Sequence, residues 1–408
     1  MSMMSMITMA IVRRRAIAVA VAMTVALTWL LYDYKRIAID AVDLDLLLLR
    51  GTHDAYDAYD AYEANDTHTP NLKSTRKKIR RPIHTSTHDT LTTTIFDDID
   101  VKVPNVTDRQ TLLTMARLAQ NAYVTPSDES WIPPPSPLTT VESFGWRNSD
   151  DGLRGHIFAS SDNSSVVVSI KGTSAGLIGG GGPSAKNDKF NDNLLFSCCC
   201  ARVSWTWTPV CDCYAGGWAC REQCLERAVQ ADSVYYPDAT QLLDRISFAY
   251  PHADIWLTGH SLGGALASML GLTFGLPAVT FEAPGDRIPA QRLHLPSIPP
   301  ELTAVWHVYH TADPVAQGTC NGLLSPCNAV GFALETRCHT GMSIVYDTVS
   351  KLGWAVDLRH HRILTVIKEI LEQEWEDDDG VAYVPKPTSE EDCIDCFKWE
   401  FGEVEEVE

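Results

Sequence analysis

The chain has 408 residues, with 33 Lys and Arg against 52 Asp and Glu, a formal net charge of −19. That balance excludes a basic nucleic-acid-binding protein of the usual kind. A hydrophobic fraction of 45% with 21% charged residues excludes wholesale disorder. The acidity is local, because residues 369–408 carry 16 acidic and 2 basic residues.

Arg13, Arg14 and Arg15 precede an uncharged apolar run, residues 16–32, closed by Asp33, Lys35 and Arg36. As a helix the run spans about 25 Å, enough for a thin bilayer. A cleaved signal peptide is the alternative, but the run ends in the bulky Trp29-Leu30-Leu31-Tyr32. That ending favours an uncleaved signal anchor over a cleavage site. The arginines place residues 1–15 in the cytosol and the rest of the chain in a lumen. Sequons at Asn65, Asn105 and Asn163 agree with a secretory compartment. There the 12 cysteines, seven of them within residues 198–224, read as disulfides more readily than as zinc ligands.

Residues 33–105 lack core periodicity and read as a lumenal low-complexity linker. Asp54-Ala55-Tyr56 recurs twice in a row, residues 73–81 are basic, and residues 85–94 are Thr-rich. From Thr111 the spacing of Leu112, Leu113, Met115, Ala116, Leu118 and Ala119 predicts an amphipathic helix. Residues 166–170, 255–258, 278–281 and 305–309 read as buried strands. Helices are expected over 239–250, 262–274 and 358–374. This alternation predicts an α/β fold, a mostly parallel sheet with helices on both faces. The ordered domain is expected over residues 106–380, with a cysteine-rich insertion at 196–224. An acidic tail, 381–408, follows, and its Cys393-Ile394-Asp395-Cys396 reads as a local disulfide or a loose zinc contact.

Gly259-His260-Ser261-Leu262-Gly263-Gly264 falls directly after an expected strand and before an expected helix. That is the context of a nucleophile elbow: glycines relieve the crowded turn and the serine hydroxyl rises at the strand's end. The Leu262 amide would face a developing oxyanion from the helix N-terminus. His260 adjoins the serine and reads as a structural histidine, because neighbours on a strand point apart. A serine nucleophile needs a base oriented by a carboxylate. Asp313 stands just past a strand end, where the acid belongs, with Asp286 as runner-up. His360 and His361 precede the last expected helix, and spacing leaves either as base. Thr173, in the loop after strand 166–170, can offer an amide and a hydroxyl as the second oxyanion donor. Gly179 to Gly182 lack a following G-K-[ST], so a phosphate loop is not expected.

These residues resemble the class 3 (fungal triacylglycerol) lipases and, more narrowly, their autophagy-related vacuolar branch. The resemblance covers residues 106–376. It is carried by Thr111-Leu112-Leu113, Ile170-Lys171-Gly172-Thr173-Ser174, Phe196-Ser197-Cys198-Cys199-Cys200, Gly259–Gly264 and Phe281-Glu282-Ala283-Pro284-Gly285-Asp286. It implies an α/β-hydrolase fold behind one transmembrane helix. It also implies Ser261 as nucleophile, Asp313 as acid and His361 as base, the last from the family's Asp-(Ile/Leu)-Arg-x-His order. No metal or cofactor is implied. The implied substrates are membrane phospholipids and neutral lipids. The implied route is as a single-pass type II protein through endosomes and multivesicular bodies to the vacuole, where autophagic bodies are disintegrated. A secretory-pathway esterase or peptidase of the same fold is the alternative.

Overall fold

The computed structural model describes residues 72–83, 95–147, 152–174, 183–202, 208–231, 234–321, 325–376 and 379–402. The expected anchor at 16–32, the Asp-Ala-Tyr repeat and Asn65 lie outside them. No helix among the described residues is long and apolar enough to cross a membrane.

The first two elements fall where a structureless linker was expected. Strands β1 (Ser74–Ile83) and β2 (Ile95–Pro104) form an antiparallel hairpin. Its register sets Lys78 opposite Asp100, Arg80 opposite Asp98 and Arg81 opposite Asp97. The basic run is therefore one side of a cross-strand charge ladder, and Ile79 and Val103 beneath it are buried in the core. Helix α1 (Arg109–Asn121) starts at Asp108, whose carboxylate accepts from the Thr111 N–H at 2.9 Å.

The next strands are β3 (Leu138–Phe144), β4 (Gly155–Ser160) and β5 (Ser165–Ile170), followed by helix α2 (Ala185–Leu195). The cysteine-rich insertion holds two short strands, β6 (Tyr214–Gly216) and β7 (Ala219–Arg221), and helix α3 (Glu222–Val229). Then come α4 (Tyr235–Ala249), β8 (Asp254–His260), α5 (Leu262–Phe274), β9 (Ala278–Phe281) and α6 (Arg287–Arg292). The last are β10 (Val305–His310), α7 (Pro326–Ala329), β11 (Met342–Tyr346), α8 (Thr348–Leu352) and β12 (Glu400–Gly402). The helix expected over 358–374 is broken into a 3₁₀ turn (Leu358–His361), one α turn (Ile363–Thr365) and a π-helical stretch (Val366–Leu371).

The main sheet has seven strands in the order β11-β10-β9-β8-β5-β4-β3. The first five are mutually parallel; β4 and β3 complete it antiparallel. All four strands expected from sequence lie in the parallel part. Their side chains alternate between two buried layers, as a two-residue period requires. Val166, Val168, Ile170, Ile255 and Leu257 pack with α5 on one face. Val167 and Trp256 pack with α1 and the π-helical stretch on the other.

Six disulfides link all 12 cysteines. Cys199–Cys220, Cys200–Cys211 and Cys213–Cys224 staple the insertion, and Cys320–Cys327 closes a short loop. The local Cys393–Cys396 bridge expected from spacing does not form: Cys393 pairs with Cys338, and Cys396 with Cys198. These two long links hold residues 388–402 against the domain as a strap, where β12 pairs with β7. Residues 388–402 of the expected acidic tail are therefore tied to the domain.

Candidate active site

Ser261 sits between β8 and α5 with φ 57° and ψ −131°. A non-glycine residue at positive φ is uncommon and marks a backbone held by its surroundings. Two glycines make the turn feasible. A side chain at Gly259 would come within 2.4 Å of the Gly263 carbonyl oxygen. One at Gly263 would come within 2.2 Å of the Ile170 carbonyl oxygen. The elbow and the loop after β5 thus touch through backbone, which sets Gly172, the residue before Thr173, against Ser261.

The Ser261 hydroxyl donates to His361 Nε2 at 2.9 Å, and His361 Nδ1–H donates to Asp313 Oδ2 at 2.7 Å. Asp313 is fully buried and also accepts the Val315 N–H at 2.8 Å. Burial opposes its charge, yet the His361 ring and its hydrogen bond outweigh that and hold the carboxyl below the usual range. With Nδ1 protonated and facing a carboxylate, Nε2 is left as the acceptor of a hydroxyl proton. The arrangement can activate a serine as a nucleophile.

Of the two adjacent histidines, His361 alone enters this line. The His360 ring stacks on Trp354, with centroids 4.5 Å apart. The other acid candidate, Asp286, accepts from the Thr340 amide and hydroxyl at 2.8 and 2.6 Å and from the Ser268 hydroxyl. It ties α5 to the segment around Thr340. His339, among the cysteines, makes a buried 3.0 Å pair with Glu390 of the strap.

His260 lies beside this line in an unforeseen position. Its Nε2–H donates to the His361 carbonyl at 2.7 Å, and its Nδ1 accepts from the Tyr123 hydroxyl at 2.7 Å. Burial, and then the neighbouring His361, push its pKa down to about 3, so the ring is neutral. His310 does the same one residue earlier: its Nε2–H donates to the His360 carbonyl at 3.2 Å, and its Nδ1 accepts from Thr348 at 3.1 Å. Two neutral histidines hold two consecutive carbonyls of one loop.

The Thr173 hydroxyl donates to Asp192 Oδ2 at 2.5 Å. Burial pushes Asp192 up to about 7. Lys171 Nζ, itself buried, donates to the Gly172 carbonyl at 2.9 Å and to Asp188 at 3.0 Å. Asp188 accepts the Ser174 N–H at 2.8 Å. This inward-facing ion pair fixes the Lys171–Ser174 loop. Leu262 is the first residue of α5, so its amide belongs to the first turn, where N–H groups have no intrahelical acceptor. The Gly-rich stretch 175–182 lies outside the described residues. Nothing in the local sequence marked Lys171, Asp188 and Asp192 as a unit, because they meet only when α2 packs under the loop.

A seven-stranded sheet of this order, with a strand–serine–helix elbow at its centre and a hydroxyl–imidazole–carboxylate line above it, defines an α/β-hydrolase of the lipase type. Comparison with known proteins gives the relatives. A family model described as a Tle-like phospholipase domain matches residues 220–292. A Cryptococcus neoformans protein named "Putative lipase ATG15" is 49% identical over 365 residues, covering 76% of this chain and 70% of its own. Its namesake in Saccharomyces cerevisiae is 48% identical over 312 residues, covering 74% and 58%. Among solved structures, the Lip2 lipase of Yarrowia lipolytica is similar at 19% identity and a TM-score of 0.32, covering 58% of this chain and 77% of that one. Lipase II of Rhizopus niveus is similar at 18% identity and a TM-score of 0.29, covering 58% and 80%. The chain belongs to the ATG15 lipase family and is a lipase-type ester hydrolase.

Proposed function

We propose that the protein hydrolyses acyl esters of membrane phospholipids and neutral lipids by two-step acyl transfer at Ser261. The observation that carries this is the unbroken line Ser261–His361–Asp313 on a positive-φ elbow. His361 takes the Ser261 proton while Oγ attacks the ester carbonyl. The Thr173 and Leu262 amides receive the oxyanion, while the Thr173 hydroxyl is held by Asp192. The intermediate collapses to an acyl-enzyme as the alcohol leaves with the proton from His361. Water then repeats the sequence and releases the fatty acid. Asp313 fixes the imidazole tautomer and balances its cation.

The same reading gives the protein an N-terminal anchor at 16–32, a lumenal catalytic domain and delivery through endosomes and multivesicular bodies to a vacuole. There it would break down autophagic bodies. The disulfides support an oxidising lumen. Of the two described sequons, Asn163 lies exposed in the turn between β4 and β5, and Asn105 is half-buried.

The test is lipid-class profiling of the full chain in detergent beside Ser261→Ala, with a fluorophosphonate probe. Hydrolysis of phospholipid vesicles falling by several orders of magnitude in the variant, and labelling at Ser261, are expected. Retained hydrolysis in Ser261→Ala would overturn the assignment. Cleavage of peptide or water-soluble esters in preference to lipid would support the esterase or peptidase alternative.

A further inference from the structure

The chain leaves β11 through α8 and reaches His361 by residues 353–360. The apolar residues just beyond it, Ile363, Val366 and Ile367, are buried in the core. Val349, Leu352, Val356 and Leu364 are instead exposed, Leu352 by 47% and Val356 by 54%. Val349 and Leu352 are three positions apart on α8 and share one face. All four fall within residues 349–364, the stretch that carries the proposed base. Aliphatic side chains left outside in one short stretch beside a catalytic group mark a surface that something else covers.

The stretch is anchored to the catalytic loop. The Thr348 hydroxyl accepts the Ala312 N–H at 3.1 Å and donates to His310 Nδ1 at 3.1 Å. The Asp357 N–H donates to the Ala312 carbonyl at 3.1 Å. Two points of the stretch are thus tied to the residue before Asp313. Leu358 turns inward and packs against the core. Whatever the exposed side chains rest on is therefore held in register with Asp313 and His361.

Charge identifies the occupant. The whole chain carries −19, yet in residues 347–364 Lys351, Arg359 and Arg362 outnumber Asp347 and Asp357. Both acids are engaged locally. Asp347 accepts the Ser350 N–H at 3.0 Å, and Asp357 accepts the Arg359 N–H at 2.8 Å. Arg359 keeps 81% of its side chain exposed in its pair with Asp357, and Lys351 and Arg362 are exposed as well. Aliphatic groups interspersed with long basic ones suit the headgroup boundary of a bilayer, with the apolar ends among acyl chains and the cations at phosphates. A second copy fits less well, because a two-fold contact would set these cations against each other.

We infer that residues 349–364 are the surface by which the catalytic domain rests on a phospholipid bilayer, which brings the lipid ester to His361 and Ser261. The inference rests on the lipid-hydrolase reading above.

The test uses the full chain, diluted from detergent, as wild type, Leu352→Ser/Val356→Ser and Lys351→Gln/Arg362→Gln. Phe248→Ser, on α4, is the control for loss of an exposed apolar side chain elsewhere. Each is assayed on a short-chain water-soluble ester and on phosphatidylcholine vesicles containing about one-fifth phosphatidylglycerol. Soluble-ester turnover and fluorophosphonate labelling at Ser261 are expected to stay within about twofold of wild type in every variant, which also reports folding. Vesicle hydrolysis is expected to fall about tenfold or more in the apolar pair and about fivefold in the basic pair, and to hold in Phe248→Ser. Vesicle hydrolysis retained in the apolar pair, or an equal fall on soluble ester and vesicles, overturns the inference. So does a change in particle mass by light scattering in the apolar pair with vesicle hydrolysis retained, which would seat a second copy on this face. Wild type that turns over the soluble ester but not the vesicles overturns the lipid reading itself, and the inference with it.

Discussion

The imidazole of His260 donates to the backbone carbonyl of His361 at 2.7 Å. The residue before the proposed nucleophile thus holds the main chain of the proposed base, 101 positions away in sequence. Tyr123 supports the other ring nitrogen from the segment after α1, so three separate segments set where the base stands.

His260→Phe keeps a ring in this site but removes both hydrogen bonds. It is expected to lower kcat/KM by about one to two orders of magnitude, the scale of a small misplacement of a catalytic group. His260→Gln, which can still donate from the Nε2 position, is expected to recover most of that loss. Steady-state hydrolysis of a short-chain ester, with melting temperatures to check folding, measures it. Equal activity in His260→Phe and wild type would remove the positioning role.

Asp192 gives a pH effect of definite sign. Burial raises its carboxyl to about 7, against an ordinary value of 3.8. A raised carboxyl contributes stability that is complete below the ordinary value and is lost as pH rises through the folded one. Between pH 5 and pH 8 this costs the wild type about 3 kcal/mol. Asp192→Asn, which does not titrate, is therefore expected to gain in melting temperature relative to wild type on going from pH 5 to pH 8. A gap that stays constant across that range would count against a buried titrating carboxyl.

The His339–Glu390 pair has a window on the other side of neutrality. The Glu390 hydrogen bond and charge overcome burial and raise His339 above its ordinary value. Its contribution is therefore complete below about 6.5 and fades as pH rises through the folded value. His339→Gln removes the charged partner of Glu390, which keeps the Tyr309 and Ser343 hydroxyls and the residue-339 N–H, and is expected to cost about 1.5–3 kcal/mol at pH 6, the scale of one charge-assisted hydrogen bond. The difference from wild type narrows towards pH 9. Thermal unfolding at a series of pH values reads both the size and the trend.

The strap is expected to matter for stability more than for chemistry, since neither of its long disulfides touches Ser261, His361 or Asp313. Replacing Cys198 and Cys396 together by alanine removes a link between residues 198 positions apart. The loss is expected to reach about 4 kcal/mol at most, because Cys338–Cys393 still tethers the strap. A calorimetric scan should show a lower melting temperature with Ser261 labelling intact at 25 °C. Loss of labelling in a folded double variant would instead place the strap in the catalytic machinery.

What could be read from sequence was what local pattern encodes. Short apolar runs marked four buried strands, and G-x-S-x-G between strand and helix marked the elbow. Asp313 was legible because it follows a strand end. The choice of His361 over His360 was not available from spacing. It depends on Trp354 stacking against one ring while His260 and His310 hold the two carbonyls. The hairpin β1–β2 was missed because its charges pair across strands rather than along one. The strap was missed because net charge does not reveal that Glu390 and Asp395 turn inward to accept hydrogen bonds.

The cysteine connectivity also carries a schedule. The three links within residues 199–224 join cysteines 11 to 21 positions apart and can close as soon as that stretch emerges during synthesis. Cys198, next to them, has its partner at Cys396, which is made 198 residues later. Throughout that interval it is a free thiol beside two neighbours of equal chemistry, open to exchange with either. The domain therefore cannot reach its final bonding state before residue 396 has been made. Its bonding pattern is coupled to arrival of the strap, and a product that stops before residue 396 lacks the partner of Cys198.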